Sequence, residues 1–237
     1  MPRGNRGDTT GGELIGGGQS PGSAQIRDSN GPMLAAMAVA CGLESARLLH
    51  ADDDVTAIVG AHETMQDCDL LVLTGGVSMG RYDLVPDSFR QIGAELVFHK
   101  VSQKPGKPLL FARRGRQLLF GLPGNPLAAH LCFHRYVAAA IRRWCGHEPA
   151  GADRRVGRLL VPVSARDCRT CFLPGRAQQM DPSENGWHLQ PLLGRSSADL
   201  FGTSQANWIR RARIPIAIAR QAASRRRSSP ATRWGSS

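Results

Sequence analysis

The chain has 237 residues, 30 Lys and Arg against 19 Asp and Glu, a formal charge of +11, and hydrophobic residues at 41%. That is enough apolar side chain to build the core of one large or two ordinary domains. No apolar run approaches the ~18–20 residues of a membrane-crossing helix, and Met1 to Asp8 lacks the apolar stretch of a secretory signal, so neither a span nor a leader is expected.

The charge is unevenly placed. Residues 208–237 hold eight Arg and no acid, which leaves 22 basic against 19 acidic groups, only +3, for residues 1–207. Just three basic residues are lysines, and all fall in one stretch: Lys100, Lys104 and Lys107. A uniform preference for Arg would not spare a single loop. The six Cys form no dense framework, so a reduced, cytoplasmic setting is expected. Cys168 and Cys171 have CxxC spacing, but no second pair follows to complete a zinc site, and two unrelated thiols are the plainer reading.

Residues 1–25 are rich in Gly, Ser and Thr and read as loop. Asn30-Gly-Pro32 signals a first helix, with Pro32 in its first position and an Ala/Met/Leu-rich body from Met33 to Cys41, closed by Gly42. Asp53 and Asp54 precede a second helix, Val55 to about Gln66. Asp69 to Leu73 is a short apolar run that reads as a strand buried on both faces, followed by a Gly-rich loop, Thr74 to Gly80. A helix over Leu84–Ile92, a strand over Leu96–Phe98, and a loop over Lys100–Pro108 come next. Leu109–Ala112 and Gln117–Phe120 suit a hairpin around Arg114-Gly115. Asn125 and Pro126 then open a helix with Phe133, Val137, Ile141 and Trp144 on one face, closed by Gly146.

Repeated strand–loop–helix units predict an α/β domain with a mainly parallel sheet, whose ligands sit at the carboxyl ends of the strands. After about Pro149 the texture becomes β-rich, in short pieces: Val156–Val163, Phe172-Leu173 and Trp187–Leu192.

The loops carry the chemistry. Glycines in Thr74 to Gly80 would let backbone amides approach an anion. Lys100, Lys104 and Lys107 would supply point charges for phosphate or another oxyanion. Carboxylates nearby would suit a hard cation such as Mg²⁺. Each piece also has a plain structural reading. Thr74-Gly75-Gly76 can be a tight turn, Asp52-Asp53-Asp54 a solvated helix cap, and Lys104 to Pro108 a rigid turn. His130 and His134 lie one helical turn apart, as zinc ligands can, but no third ligand is placed, and a partly buried or surface pair is the plainer reading.

Together these motifs resemble a family. Gln25-Ile-Arg-Asp-Ser-Asn-Gly-Pro-Met-Leu34, Thr74-Gly-Gly-Val-Ser-Met-Gly-Arg-Tyr-Asp83, Lys104-Pro-Gly-Lys-Pro108 and Gly121-Leu-Pro-Gly-Asn-Pro126 stand in the order and spacing of the molybdopterin molybdenumtransferases, whose eukaryotic relative is the gephyrin E domain. The match covers residues 9–148 well and 154–207 loosely.

The resemblance implies a three-layer α/β molybdopterin-binding domain over residues 1–148. A small β-barrel-like domain over 154–207 and a basic, disordered tail over 208–237 would follow. It implies insertion of molybdate into the dithiolene of adenylylated molybdopterin, with Mg²⁺ and release of AMP. Asp53, Asp83, Lys100 and Lys104 would carry the catalysis, with Glu13, Asp53 and Asp83 serving the cation. Thr74, Gly75, Gly76, Ser78 and Lys107 would hold phosphate and other anionic groups. Pro123, Gly124, Asn125, Pro126 and Ser197 would complete the ligand pocket.

Departures from the family are equally legible. Thr9-Thr-Gly-Gly-Glu-Leu14 keeps Glu13 but has Gly12 where the family has Asp. Met1–Asp8 is polar where an apolar strand is expected, so one sheet strand is expected to be missing. Cys168 to Pro174 keeps Arg169 of a charged family strand, while Gly194 to Leu200 still looks like the family. The resemblance would place further N-terminal domains, which form much of the family's homodimer, ahead of the residues matched here, and these are expected to be missing. Both ends read as if a frame change or altered start had overwritten them.

Two other readings stand beside the enzyme. One is a molybdopterin-binding remnant without turnover. The other is a nucleic-acid-binding protein acting through its eight-Arg tail, with salt-dependent, sequence-independent affinity.

Overall fold

The computed structural model describes residues 5–10, 14–15, 26–77, 84–148, 157–162, 170–179 and 186–192. In chain order the elements are β1 (Asn5–Thr10), β2 (Leu14–Ile15), β3 (Ile26–Arg27), α1 (Asn30–Ala40), β4 (Ala46–Ala51), α2 (Val55–Glu63), β5 (Leu70–Thr74), α3 (Leu84–Gln91), β6 (Glu95–His99) and β7 (Gln103–Lys104). There follow β8 (Leu110–Arg114), β9 (Gln117–Leu122), α4 (Pro126–Cys132), a π-helical turn (Phe133–Val137) and α5 (Ala138–Trp144). The last elements are β10 (Arg158–Leu159), β11 (Thr170–Cys171), β12 (Gly175–Gln179) and β13 (Trp187–Pro191).

The main sheet has strand order β4-β1-β5-β9-β8-β6. β4, β1, β5 and β9 are mutually parallel, and β8 runs against both β9 and β6. β5 is buried along its whole length, and its alternating side chains divide the core. Leu70 and Val72 pack with Leu34 and Ala38 of α1 and with Phe133, Val137 and Ile141. Leu71 and Leu73 pack with Ile58 of α2 and with Val85 and Phe89 of α3. Helices on both faces of a mostly parallel sheet make three layers, because a strand buried on two sides needs two apolar covers.

The π turn has a packing reason. Phe133, Val137 and Ile141 repeat every four residues, which on an α-helix drifts about 40° per step. The Ala138 amide bonds to the Phe133 carbonyl, five residues back, and this locally wider turn offsets the drift. All three residues stay buried in the same core.

The sequence reading is corrected at the start of the chain. The expected missing strand is present: Asn5–Thr10 fills the slot between β4 and β5, in parallel register with both. Ladder bonds are made by backbone groups, so a polar, Gly-containing segment can complete them without apolar alternation. Residues 5–10 and 14–15 are therefore strand rather than loop. β4 was not expected either, since Arg47 and His50 break its apolar pattern; it is an edge strand, half open to solvent. α1 begins at Asn30, two residues before the expected start, and α2 ends at Glu63, three before the expected end.

Beyond residue 148, the described residues contain a three-stranded sheet, β10-β13-β12, and a short parallel pair, β11-β7. No closed barrel is formed among them. No helix of the described residues is long and apolar enough to cross a membrane.

Candidate functional site

Register brings the ends of the sheet strands level. Thr10 pairs with Ala51, Thr9 and Leu122 each pair with Thr74, and Leu110 pairs with both Gly121 and His99. The segments that follow β4, β1, β5, β9 and β6, and the one that precedes β8, therefore emerge at one edge. The connection leaving β1 goes to β4, while that leaving β5 goes to β6, on the other side. The crevice between β1 and β5 is thus the topological switch point, where open α/β sheets take their ligands.

The middle of this edge is built from close backbone approaches. Gly75 and Gly76 have φ of 88° and 61°, a left-handed path that L side chains resist. The Gly75 amide donates to the Leu122 carbonyl at 3.2 Å. A Cβ at Gly124 would lie 3.5 Å from the Gly75 Cα, so the two Gly loops touch through backbone. Thr74 and Pro123 are buried beneath them, and Gly124 is exposed. Asn125 acts as the predicted helix cap, its Oδ1 accepting from the Ala128 amide at 3.2 Å with Pro126 in the first turn.

Asn30 ties a third loop to this pair. Its Nδ2 donates to the Gly124 carbonyl at 2.8 Å, from a side chain buried at the start of α1. Asp28 occupies the free amides of that helix: its Oδ1 accepts from the Asn30 and Gly31 amides, both at 3.0 Å. The start of α1 is thereby closed to an external anion by its own chain.

Lysines flank the edge on one side. Lys100 follows β6 with φ of 76°, the one non-Gly residue in the left-handed region among those described. It is held on both sides, its amide donating to the Leu109 carbonyl at 2.7 Å and the Val101 amide to the Lys107 carbonyl at 2.9 Å. Lys104 and Lys107 are exposed, the Lys104–Pro105 peptide is cis, and Gly106 has φ of 92°. β11 pairs with Gln103 and Lys104, and the Phe172 amide donates to the Lys104 carbonyl at 2.8 Å. Phe172 itself is buried under the Arg135 guanidinium, 4.2 Å from its ring centre.

Acids flank the other side. Asp54 caps α2, accepting from the Ala57 amide at 3.1 Å, and Asp53 is exposed beside it. At ~4.8 Å per strand, β4 and β6 stand on the order of 24 Å apart, so Asp53 and Lys100 cannot share one small ion. Glu13, Ser78, Asp83 and Ser197 lie outside the described residues, as does Cys168. Asp53 alone does not make a Mg²⁺ site, and no cluster of three His, Cys, Asp or Glu able to hold a metal occurs among the described residues.

His130 and His134 form an edge-on pair, ring centres 4.8 Å apart. Burial, followed by repulsion from His134, pushes the His130 imidazole down to about 4. Burial also lowers His134. Of the two plain readings, a partly buried or a surface pair, the structure has the partly buried one, with neutral rings. Cys132 is buried and its thiol is pushed up to about 12 by burial, so it is not a nucleophile at neutral pH.

A family described as "Probable molybdopterin binding domain" matches residues 9–143. The chain belongs to this family of molybdopterin-binding domains. It is 37% identical over 138 residues to a molybdopterin molybdenumtransferase of Staphylococcus aureus, covering 58% of this chain and 33% of that protein. A molybdopterin molybdenumtransferase of Synechocystis is 35% identical over 131 residues, covering 54% and 34%. The fold is similar to a molybdopterin biosynthesis moeA protein of Pyrococcus horikoshii, with a TM-score of 0.71 and 25% identity over 86% of this chain and 48% of that one. The chain thus spans about a third of the length of the curated relatives it matches.

Sequence reasoning missed the contacts that hold these loops. The motif that holds Asn30 assigns it no contact, and no motif contains Gln103, Cys132 or Tyr136. The available signal was Cys132 and Tyr136, four apart beside the apolar stripe of a helix, where both face the same neighbour.

Proposed function

We propose that the chain acts in molybdenum cofactor synthesis, binding adenylylated molybdopterin and inserting molybdate into its dithiolene with release of AMP. The observation that carries this is the in-register sheet edge where Gly75-Gly76 and Gly124 meet between a lysine loop and an acidic loop. Family membership over residues 9–143 gives that edge its ligand class.

On this reading Gly75, Gly76 and Ser78 hold phosphate, with Thr74 buried beneath the two glycines. Lys100, Lys104 and Lys107 neutralise molybdate and the charge that develops as the adenylate is cleaved, as preorganised electrostatic catalysis requires. Pro123, Gly124, Asn125 and Pro126 wall the molybdate pocket with backbone. Ser197 is assigned to the ligand through the family motif alone. Mg²⁺ would be held by Glu13, Asp53 and Asp83 and would supply charge neutralisation at the adenylate phosphate. Asp53's place at the carboxyl edge supports its share in this. The setting proposed is the cytoplasm, supported by free thiols at Cys41, Cys132 and Cys145. A homodimer is proposed by analogy with the family.

Titration of the purified chain with molybdopterin adenylate, followed by mass spectrometry of AMP release with and without molybdate, tests the reading. Molybdate-dependent AMP release that is lost in Lys100→Ala supports it. Binding without turnover reduces the function to molybdopterin binding, and no binding removes it.

A further inference from the structure

We propose that Gln103, Cys132 and Tyr136 are positioning residues, a buried clamp that fixes the backbone of Lys104–Lys107 and so sets where Lys104 and Lys107 present their charge to an oxyanion. The proposal rests on the functional reading above and adds to it what places the cations.

Lys104 to Pro108 contains two prolines and a left-handed Gly, so it can draw little order from regular structure of its own. Its carbonyls are met from elsewhere. Gln103 is 2% exposed, and its Nε2 donates to the Pro105 carbonyl at 3.0 Å. The same Nε2 lies 3.6 Å from Cys132 Sγ. The Cys132 thiol in turn donates to the Gly106 carbonyl at 3.7 Å. Tyr136 completes the set, its hydroxyl donating to Gln103 Oε1 at 2.8 Å. Both ends of a buried carboxamide are thereby satisfied, which fixes its orientation.

The fit is also steric. A Cβ at Gly106 would stand 2.5 Å from Cys132 Sγ and 2.6 Å from Gln103 Nε2, so the loop backbone lies directly on the clamp. Cys132 ends α4 and Tyr136 sits in the π turn, beside the stripe of Phe133, Val137 and Ile141 that is locked into the core. A lysine is a point charge on a flexible stem, and its usefulness at an anion site depends on how firmly its backbone is held. Here the path runs from the sheet core through one helix to the loop.

Tyr136→Phe tests this in the full-length chain, since it keeps the ring and removes only the hydroxyl; Gln103→Ala serves as the stronger variant. Two readouts are combined. Amide hydrogen exchange is followed at Val101 and Phe172, which donate to the Lys107 and Lys104 carbonyls, and at Gly75, which donates to Leu122. Molybdate affinity is measured by calorimetry.

The expected result is exchange about five- to tenfold faster at Val101 and Phe172 with Gly75 unchanged, and molybdate binding weakened by a similar factor, the effect of one hydrogen bond. Uniform acceleration at all three amides, or none, overturns the clamp. Local acceleration with unchanged molybdate affinity also overturns it, while leaving the functional reading intact. Failure of the unaltered chain to bind molybdate would instead count against the functional reading, and the clamp would then stand or fall on the exchange data.

Discussion

The acidic loop after β4 and the lysine loop after β6 occupy opposite flanks of one sheet edge, and they are anchored in opposite ways. Asp52, Asp53 and Asp54 are all exposed, and one side-chain bond, Asp54 to the Ala57 amide, ties them to α2. The lysine loop is tied down along its length: by Leu109 at Lys100, by Gln103 at Pro105, by Cys132 at Gly106 and by β11 at Lys104. The contrast teaches that charge sign and proximity to a site are separable from preorganisation. A carboxylate capping a helix needs no more than its cap. Lysines meant to meet an anion need a backbone that does not move when the anion arrives, and the buried groups spent on this loop are what such a requirement would select.

The comparison is broken hardest at Gly106. A Gly106→Ala chain must relieve a Cβ contact with Cys132 and Gln103 while holding φ of 92°. The expected loss is about 2–4 kcal/mol in urea unfolding. Gly115→Ala is the control: its φ is 57°, but nothing lies within 4 Å of its Cβ, so only the backbone penalty of about 1 kcal/mol should appear. Equal losses at the two sites would mean that the loop does not rest on the clamp.

Acid should act on the lysine side next. His130, on the helix that carries Cys132, has its folded-state value lowered to about 4 by burial and by His134, against about 6.5 in an unfolded chain. Between those values the unfolded chain binds a proton that the folded chain refuses. This contribution to stability is therefore whole above pH 6.5, falls as pH drops towards 4, and is lost below that. The slope is up to about 1.4 kcal/mol per pH unit, or about 3 kcal/mol across the window. Unfolding free energies at pH 7, 6 and 5 should fall less steeply in His130→Gln than in the unaltered chain; parallel slopes would refute the assignment. His62 on α2, also lowered by burial, contributes in the same direction and remains in the variant.

What the sequence made legible follows from how each feature is encoded. β5 is a run of apolar residues, α2 and α4 open on capping residues, and Gly42, Gly93 and Gly146 close helices with φ of 95°, 74° and 78°. These are local signals with local causes. β1 escaped because its stability comes from neighbours on both sides, through backbone bonds that no side-chain pattern announces. The loops of the site were found by their composition, and register placed them together. The clamp was hidden for another reason: Gln103 and Tyr136 are 33 residues apart, and a hydrogen bond across that separation leaves no periodic trace.

Asp54→Ala probes the weaker anchor. Removing a cap should lower stability by about 1 kcal/mol and leave molybdate affinity within twofold, because the acidic loop lies across the sheet from the lysines. A change in affinity comparable to that of Tyr136→Phe would erase the distinction between the two loops.

The smallest stability effect should carry the opposite sign. Lys100 holds a left-handed backbone, which disfavours an L-residue by roughly 1–2 kcal/mol. The conformation persists because Leu109 and Lys107 bracket it with hydrogen bonds. Glycine adopts the same path without strain but gains freedom in the unfolded chain, so Lys100→Gly should be neutral or stabilising by up to about 1 kcal/mol. Lys100→Ala keeps the strain and gains nothing. Both should lose the charge and weaken molybdate binding about tenfold or more. The pair thus separates two properties of one residue: matched affinity losses with unequal stabilities would identify the left-handed turn as a cost tolerated for the position of the ammonium group. Equal stabilities in the two variants would show that the turn carries no strain, and the lysine's place in it would then need another cause.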